Sequence, residues 1–501
     1  MPGMTMRMNV RRTTSPFSPL VYSPALWLDA SDASTLVMDG AVLISVNNLC
    51  LKCPDSPIFR ADGQIWVAFW AKFAYTNNPR IPYIKGDATA AATYEHGFVV
   101  ETTTNNARLS ISNGSSAKVA YTATNPTLNN WHFYFGYIDP ANNIAKASLD
   151  GGTFGTVNLT GFTPSVGSND FVVGAGNPTG TNHRVDYIDS FAVGKPSSAG
   201  WLASNAAALA SYLYNSGSGR RSSDFMSSPY YTGGNPSGAG SWYDMDERSG
   251  NRVDRIGSNN LTPAGSAAAS IGYAAGVASG LVQYTGDPVK QWSDKSGNAR
   301  HLIAPSDAAR PTYTTGAQNG LPALTFDGVN DYLTNTDVAS IVNGTGKSLT
   351  AFVVVKTGTI DKVAWGFGRS VISSTPMLLC YPYAAGSRAN LTHRTDTNNE
   401  TNVNTAASST ATNTTYIITA KLNATTAYVS VNGGTFASGA ITQSAVTLDK
   451  LTVGAFDRFG GVSGYLNGVI AELAMYGSEL DSVQITNMLR YLGNKWGITV
   501  A

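Results

Sequence analysis

The stretch Tyr416-Ile-Ile-Thr-Ala-Lys-Leu422 is followed by Ala427-Tyr-Val-Ser-Val431 and then by the turn dipeptide Asn432-Gly433. Both stretches are rich in β-branched and aromatic residues, and their polar residues alternate so that one face can be buried. Asn-Gly dipeptides are typical of tight turns between antiparallel strands. The region therefore predicts paired antiparallel strands. The same turn signals recur along the chain and predict an all-β protein. They lie at Asp62-Gly63, Asn113-Gly114, Asp150-Gly151, Asp327-Gly328 and Asn467-Gly468.

Two stretches depart from this pattern and have the spacing of amphipathic helices, at 206–214 and 483–496. In the second, Asp481 with Gln484 three residues later predicts a capping box. A stripe of Val483, Met488, Leu489 and Leu492 is expected to face the core.

The composition limits the possible partners. Only 13% of the 501 residues are charged, and 33 Lys and Arg residues balance 32 Asp and Glu residues. With a net charge of +1, no strong field draws polyphosphate or anionic lipid, so no nucleic-acid partner is expected. The three cysteines cannot form a disulfide framework. We find neither a run of about 20 apolar residues nor a continuous apolar leader, so we expect no membrane insertion and no signal peptide.

An internal repeat divides the chain. The segment Gln64-Ile-Trp-Val-Ala-Phe-Trp-Ala-Lys72 parallels Ser348-Leu-Thr-Ala-Phe-Val-Val-Val-Lys356. Three further pairs follow in the same order, and each copy then enters its helix. They are 147–154 with 429–436, 171–175 with 451–455, and 185–192 with 466–474. The repeat predicts two similar β-sandwiches, each with a short helix.

One pair of segments is out of order. The segment Gln291-Trp-Ser-Asp294 precedes the shared strands in the second copy, whereas the similar Ser241-Trp-Tyr-Asp244 follows them in the first. We therefore expect a circularly permuted sandwich, residues 39–279, inserted into a sandwich formed by 21–38 and 281–501. Residues 1–20 would be a basic N-terminal arm. The insertion requires residues 38 and 281 to lie close together.

Five motifs support a family resemblance. They are Trp27-Leu-Asp-Ala-Ser-Asp-Ala-Ser-Thr-Leu36, Trp292-Ser-Asp-Lys-Ser-Gly-Asn-Ala-Arg-His301, Arg310-Pro-Thr-Tyr313, Leu324-Thr-Phe-Asp-Gly-Val-Asn-Asp-Tyr-Leu333 and Tyr491-Leu-Gly-Asn-Lys-Trp-Gly-Ile498. Together they resemble the concanavalin A-like, laminin-G-like jelly-roll modules, over nearly everything after residue 20. Such modules are common in bacterial surface proteins and in structural proteins of tailed bacteriophages. The resemblance implies two jelly-roll sandwiches.

Catalysis is not expected, because glycan-cleaving relatives use carboxylates spaced as Glu-x-Asp-x-x-Glu along one strand, and this sequence has no such run. Laminin-G-like modules can bind Ca²⁺ through oxygens at the sandwich rim. The candidate ligands are Asp29, Asp32, Asp294, Asp327 and Asp331, with turn-capping as the competing interpretation. No other cofactor is expected.

Trp131, Trp201 and Trp242 lie near loops and are candidates for stacking on sugar rings, with a core position as the alternative. Taken together, these features predict a non-enzymatic virion structural or decoration protein that adheres to cell-surface glycans. Its partners would be other virion proteins, and it would form a homo-oligomer. The alternative is a bacterial cell-surface lectin or adhesin, with a glycoside hydrolase as a remote third.

Overall fold

The computed structural model describes most of the chain beyond residue 16. The described residues are 17–44, 49–73, 80–90, 92–101, 106–179, 187–231, 240–245, 251–252, 254–264, 272–281, 285–337, 339–370, 376–442, 446–459 and 461–501. The predicted basic arm lies mostly outside them. Contacts divide the chain into two compact units. The terminal sandwich comprises the described residues up to Leu36 together with Gln291–Ala501, and the middle sandwich comprises Val37–Lys290.

The described structure contains thirty-three strands and only a few short helices, which confirms the all-β prediction. The first sixteen are β1 Leu26–Asp29, β2 Leu36–Leu43, β3 Cys50–Cys53, β4 Ile65–Lys72, β5 Arg80–Gly86, β6 Tyr94–Glu101, β7 Asn106–Ser112, β8 Ala117–Tyr121, β9 Trp131–Asp139, β10 Ile144–Leu149, β11 Gly155–Asn158, β12 Phe171–Val173, β13 Tyr187–Gly194, β14 Ser241–Tyr243, β15 Thr262–Ala264 and β16 Gly272–Leu281. The others are β17 Gln291–Trp292, β18 Leu302–Ile303, β19 Thr312–Gln318, β20 Leu321–Asp327, β21 Leu333–Asn335, β22 Leu349–Thr357, β23 Trp365–Gly368, β24 Met377–Ala384, β25 Arg388–Arg394, β26 Glu400–Asn404, β27 Thr415–Leu422, β28 Thr426–Val431, β29 Ala437–Ala440, β30 Lys450–Val453, β31 Phe456–Arg458, β32 Gly461–Ser463 and β33 Asn467–Tyr476.

The helices among the described residues are few and mostly short. They are α1 Trp201–Tyr214, α2 Ser222–Met226, α3 Ala339–Val342 and α4 Ser482–Trp496, with five described 3-10 turns at Pro19–Tyr22, Ala33–Thr35, Pro57–Phe59, Asn215–Gly217 and Asp307–Ala309. No helix in the described part of the chain is long and apolar enough to span a bilayer.

Both sandwiches consist of two antiparallel sheets. In the middle sandwich one sheet has the order β11-β10-β9-β4-β13-β2, with β14 on β13 and β16 on β2, and the other has the order β15-β3-β12-β5-β6-β7-β8. In the terminal sandwich one sheet has the order β19-β20-β33-β22-β27-β28-β29, with β1 on β33, and the other runs β17-β18-β21-β30-β23-β24-β25-β26.

The repeated segments occupy corresponding strands of the two sandwiches. Strand β4 lies between β13 and β9, and β22 lies between β33 and β27. The predicted correspondence between the segments that contain Trp242 and Trp292 is corrected by the strand register. Trp242 on β14 faces Ala192, as Trp27 on β1 faces the matching Ala474. By register β14 therefore corresponds to β1, and not to the strand that contains Trp292. The circular permutation and the insertion stay predictions, and within the middle sandwich Met38 pairs with Gly280.

The residues of β4 show why both faces of the central strand are apolar. Phe69 points between the sheets and packs against Tyr134 and Phe191, with ring centroids 5.1 and 5.4 Å away. Its neighbours Trp66 and Trp70 point to the other face, where α1 covers them. Because successive side chains of a strand alternate between faces, a central strand with a helix on its outer face is apolar throughout.

Helix α4 covers the corresponding face of the terminal sandwich. Its first turn has the predicted capping box, in which Asp481 accepts from the Gln484 amide and the Gln484 side chain accepts from the Asp481 amide. The buried stripe starts at Ile485 and continues through Met488, Leu489, Leu492 and Trp496. The prediction for Val483 is wrong: it is 67% exposed, because it lies two positions before Ile485 and therefore on the far side of the helix.

Candidate functional site

A lysine and two aromatic rings lie side by side on one face of the middle sandwich. Lys72 ends β4, Trp131 begins β9 and Tyr187 begins β13, and the register places both aromatic residues directly opposite Lys72. The Lys72 Nζ lies 4.2 Å from the centre of the Tyr187 ring and 5.4 Å from that of Trp131. The two rings meet edge to face, with centroids 6.1 Å apart. We call these three residues the Lys72 cluster.

The Lys72 cluster is accessible because α1 ends beside it. Trp66 and Trp70 are the preceding residues of β4 on the same face, and both are buried. Tyr214, the last residue of α1, stacks on Trp70 with ring centroids 5.7 Å apart. Lys72 is the next residue along that face, beyond the end of the helix. All three members of the cluster are consequently only partly buried.

The chemistry of the Lys72 cluster suits a polar ring-shaped ligand. Among the described residues, no carboxylate forms an ion pair with Lys72, so its ammonium keeps donor capacity toward a ligand. The rings offer flat apolar surface, and their negative faces hold the ammonium in place. Such a surface can contact the C–H face of a sugar while the ammonium donates to a hydroxyl or carboxylate.

The corresponding position of the terminal sandwich lacks these rings. There the matching lysine is Lys356, and its neighbours in register are Thr415 and Val469. The fold therefore does not require aromatic residues around this lysine. The two rings are a feature of the middle sandwich.

The other two candidate tryptophans differ from Trp131. Trp201 begins α1 and is partly exposed, with its ring edge-on to Tyr230 at 6.5 Å. Trp242 is only 2% exposed, lies 5.0 Å from the Phe225 ring, and donates its indole N–H to Asp244. The prediction for Trp242 is therefore corrected: its ring is part of the core and is not available to stack on a ligand.

Three of the five candidate calcium ligands belong to a network that ties β1 to its surroundings. Asp29 accepts from Lys495 at 2.6 Å and from Lys295 at 3.1 Å, and Lys295 also reaches Asp32 at 2.8 Å. Asp294 accepts from the Trp27 amide at 3.0 Å. Burial alone would raise the pKa of Asp29, but the neighbouring lysines outweigh it and hold that pKa below its usual range.

Glu472 lies at the centre of this network, although no sequence motif pointed to it. Its side chain is 1% exposed and accepts from Trp27, Tyr491, Lys495 and Trp496 at 2.8 to 2.9 Å. Burial, with a smaller contribution from Asp29, raises its pKa. The tryptophans and lysine of the opening and closing motifs are thus structural, since they donate to one buried carboxylate, and Asp29 accepts from the same lysine.

The remaining two candidate ligands cap a turn. One Asp327 oxygen accepts from the amides of Val329 and Asn330 at 2.8 and 3.1 Å. An Asp331 oxygen accepts from the Asp327 amide at 3.0 Å. These bonds match the turn-capping interpretation. Within the described ranges no group of three or more His, Cys, Asp or Glu side chains could hold a metal ion, and calcium binding by these five aspartates stays a prediction.

A histidine–aspartate pair resembles part of a catalytic site but lacks the required free nitrogen. His132 Nδ1 lies 2.7 Å from Asp150 Oδ2. Its Nε2 accepts from the Thr127 amide at 2.9 Å, so the lone pair that a general base would use is already bonded. This pair stabilises a loop.

Comparisons with known proteins give structural similarity only. No family model matches the chain, and no curated protein matches it. A carbohydrate-binding module (CBM40) of the Ruminococcus gnavus IT-sialidase, bound to α2,3-sialyllactose, is 13% identical, with a TM-score of 0.26 over 29% of this chain and 83% of that one. Domains LG4-5 of the mouse laminin α1 chain are 10% identical, with a TM-score of 0.24 over 88% and 92%. Domain 4 of AbnA, an extracellular arabinanase from Geobacillus stearothermophilus, is 14% identical, with a TM-score of 0.31 over 39% and 92%. At these values none of them assigns a function to this chain.

Proposed function

We propose that this chain is a non-enzymatic glycan-binding protein and that the Lys72 cluster is its sugar site. The observation that carries the proposal is the placement of the Lys72 ammonium, which has no ion pair among the described residues, against two partly exposed rings. Trp131 and Tyr187 would contact the apolar face of a sugar ring, and Lys72 would donate to its hydroxyl or carboxylate oxygens.

The test is glycan binding by the purified chain. A glycan array with neutral and acidic sugars would identify a ligand, and titration calorimetry would then compare variants. We expect Trp131→Ala and Lys72→Ala each to weaken binding about tenfold, since loss of one ring contact or one charged hydrogen bond costs about 1.4 kcal/mol. Lys356→Ala is the matched control and should bind as the unmodified chain does. If all three variants bound the sugar as tightly as the unmodified chain does, the sugar would bind elsewhere. If the chain bound no glycan on the array, the result would count against the proposal as a whole.

We further propose that this adhesion serves a virion, with the chain as a structural or decoration protein on a capsid or tail. The resemblance of its motifs to phage jelly-roll modules supports this, as does a surface with few charged residues, whose ordering at high local density costs little side-chain entropy. The alternative function is that of a cell-surface lectin. We expect the chain to co-sediment with virus particles at a fixed ratio to the main shell protein. Its absence from particles would contradict the virion role and favour the lectin.

A further inference from the structure

A buried lysine in the middle sandwich lies against two carboxylates. Lys85, near the end of β5, places its Nζ 2.6 Å from Asp55 Oδ1 and 3.6 Å from Glu95 Oε1, and it also donates to the Asn169 carbonyl. The side chains of Lys85 and Glu95 are fully buried, and that of Asp55 is 12% exposed. Glu95 Oε2 is buried and has no hydrogen-bond partner among the described residues.

The fold does not require charged residues at these positions. Lys85 pairs with Phe171 on β12, and the corresponding residue of the terminal sandwich, Phe367 on β23, pairs with Leu451 on β30. Glu95 is the residue immediately before the one that lies opposite Lys85 in the strand register. In the terminal sandwich the corresponding position is occupied by Met377. Burying an ammonium and a carboxylate carries a desolvation cost, which the phenylalanine and methionine at the corresponding positions of the terminal sandwich avoid. The presence of these buried charges therefore points to a reaction between the Lys85 amine and a neighbouring carboxyl group.

We propose that Lys85 and Asp55 form an intramolecular amide bond, with Glu95 as the residue that transfers the protons. A buried amine next to a carboxyl group, with a second carboxyl group 3.6 Å from the amine, has the parts that an uncatalysed condensation lacks: proximity, exclusion of water and a proton carrier. The Nζ is already at hydrogen-bond distance from the carboxyl group that it would attack.

The step balances without an added reactant. Glu95 carries one proton from the Lys85 ammonium to Asp55, and the neutral Nζ then attacks Cγ of the protonated carboxyl group. Glu95 takes a second proton from the nitrogen and gives it to the hydroxyl group, which leaves as water. The new N–Cγ bond replaces one C–O bond, and one water departs. The remaining amide N–H can keep donating to the Asn169 carbonyl.

Two neighbours suit this reaction. The Arg60 guanidinium bonds to Asp55, with its Nε 3.1 Å from Oδ2, where it would balance the charge on the oxygen that stays. The same hydrogen bond holds the pKa of Asp55 below its usual range, which is why the carboxylate needs the proton that Glu95 delivers. Burial raises the pKa of Glu95, as is needed for a group that must hold a proton in turn.

Intact-mass spectrometry of the full chain is the experiment. We expect the unmodified protein to be lighter than its sequence mass by one water, about 18 Da, and a proteolytic digest to contain one branched peptide joining Asp55 to Lys85. Glu95→Gln should return the sequence mass. Asp55→Asn should lose ammonia in place of water, about 17 Da.

Controls separate this bond from other dehydrations. Lys52→Met removes a partly exposed lysine that pairs with Asp170 at 3.1 Å in the same sheet, and it should keep the mass loss. Lys85→Met should abolish it. A sequence mass for the unmodified chain would overturn the proposal, and this outcome does not depend on whether any variant folds. Persistence of the loss in Lys85→Met would also overturn it, since a succinimide at an Asp-Gly turn would then be the source.

Discussion

The Glu472 network makes a quantitative prediction, with Lys495→Met as the perturbation. Lys495 bonds to Glu472 at 2.8 Å and to Asp29 at 2.6 Å, and the strand register places these two carboxylates opposite each other. Methionine fills similar volume but leaves a fully buried carboxylate with one cation fewer. Loss of one partner of a buried ion pair costs about 3 to 5 kcal/mol, which is about a hundredfold or more in the opening equilibrium.

The pH dependence of this variant has a definite sign. The pKa of Glu472 is raised in the folded protein, so its protonated form is favoured on folding, and without Lys495 the pKa rises further. When the pKa of a carboxyl group is higher in the folded than in the unfolded chain, the group stabilises the fold most at pH values below its unfolded pKa, near 4.5. This contribution to stability is lost as the pH rises. Lowering the pH from 7 to 5 should therefore restore part of the lost stability. Lys495 is also the main group that lowers the pKa of Asp29, so its loss raises that pKa and acts in the same direction.

Hydrogen exchange by mass spectrometry is the assay, because it reports on the terminal sandwich by itself. Peptides from β33 and α4 should lose about a hundredfold of protection in Lys495→Met at pH 7. Lys421→Met is the control, since it removes a partly exposed pair with Glu479 at 2.9 Å whose loss costs about 0 to 1 kcal/mol. Equal protection of the two variants, or no recovery at pH 5, would refute the structural role assigned to this network.

Two further predictions concern the buried groups of the chain. Burial lowers the pKa of His96 to about 4, so the unfolded chain takes up a proton below about pH 6.5 and the folded chain does not. Stability of the middle sandwich should fall by about 3 kcal/mol as the pH drops through that window. In urea unfolding, His96→Gln should make the stability of the middle sandwich depend less on pH. An unchanged dependence of stability on pH would contradict this. Burial raises the pKa of Cys50 and Cys53 to about 11 and of Cys380 to about 12, so a thiol reagent at pH 8 should modify all three only in denaturant. Labelling of the native chain would contradict the buried positions.

Residue pattern alone predicted the strands, because alternation and turn dipeptides are local signals. The paired strands 415–422 and 426–431 and the capped helix α4 are where they were expected. Residue type also selected Trp131. It did not select Lys72 or Tyr187, because strands distant in the sequence bring them to Trp131. Nor did it select Glu472, since one glutamate in an apolar strand gives no sign that four donors will surround it.

Comparison of the two sandwiches separates structural residues from candidate functional ones. Trp27 and Trp242 hold matching positions, and both donate their indole N–H to a buried carboxylate, so this feature belongs to the shared architecture. By contrast, the rings beside Lys72 have no counterpart beside Lys356. The fold tolerates Thr415 and Val469 there, so packing alone does not account for Trp131 and Tyr187. A chain with two copies of one fold thus supplies its own reference, and the Lys72 cluster is a departure from that reference at an accessible surface.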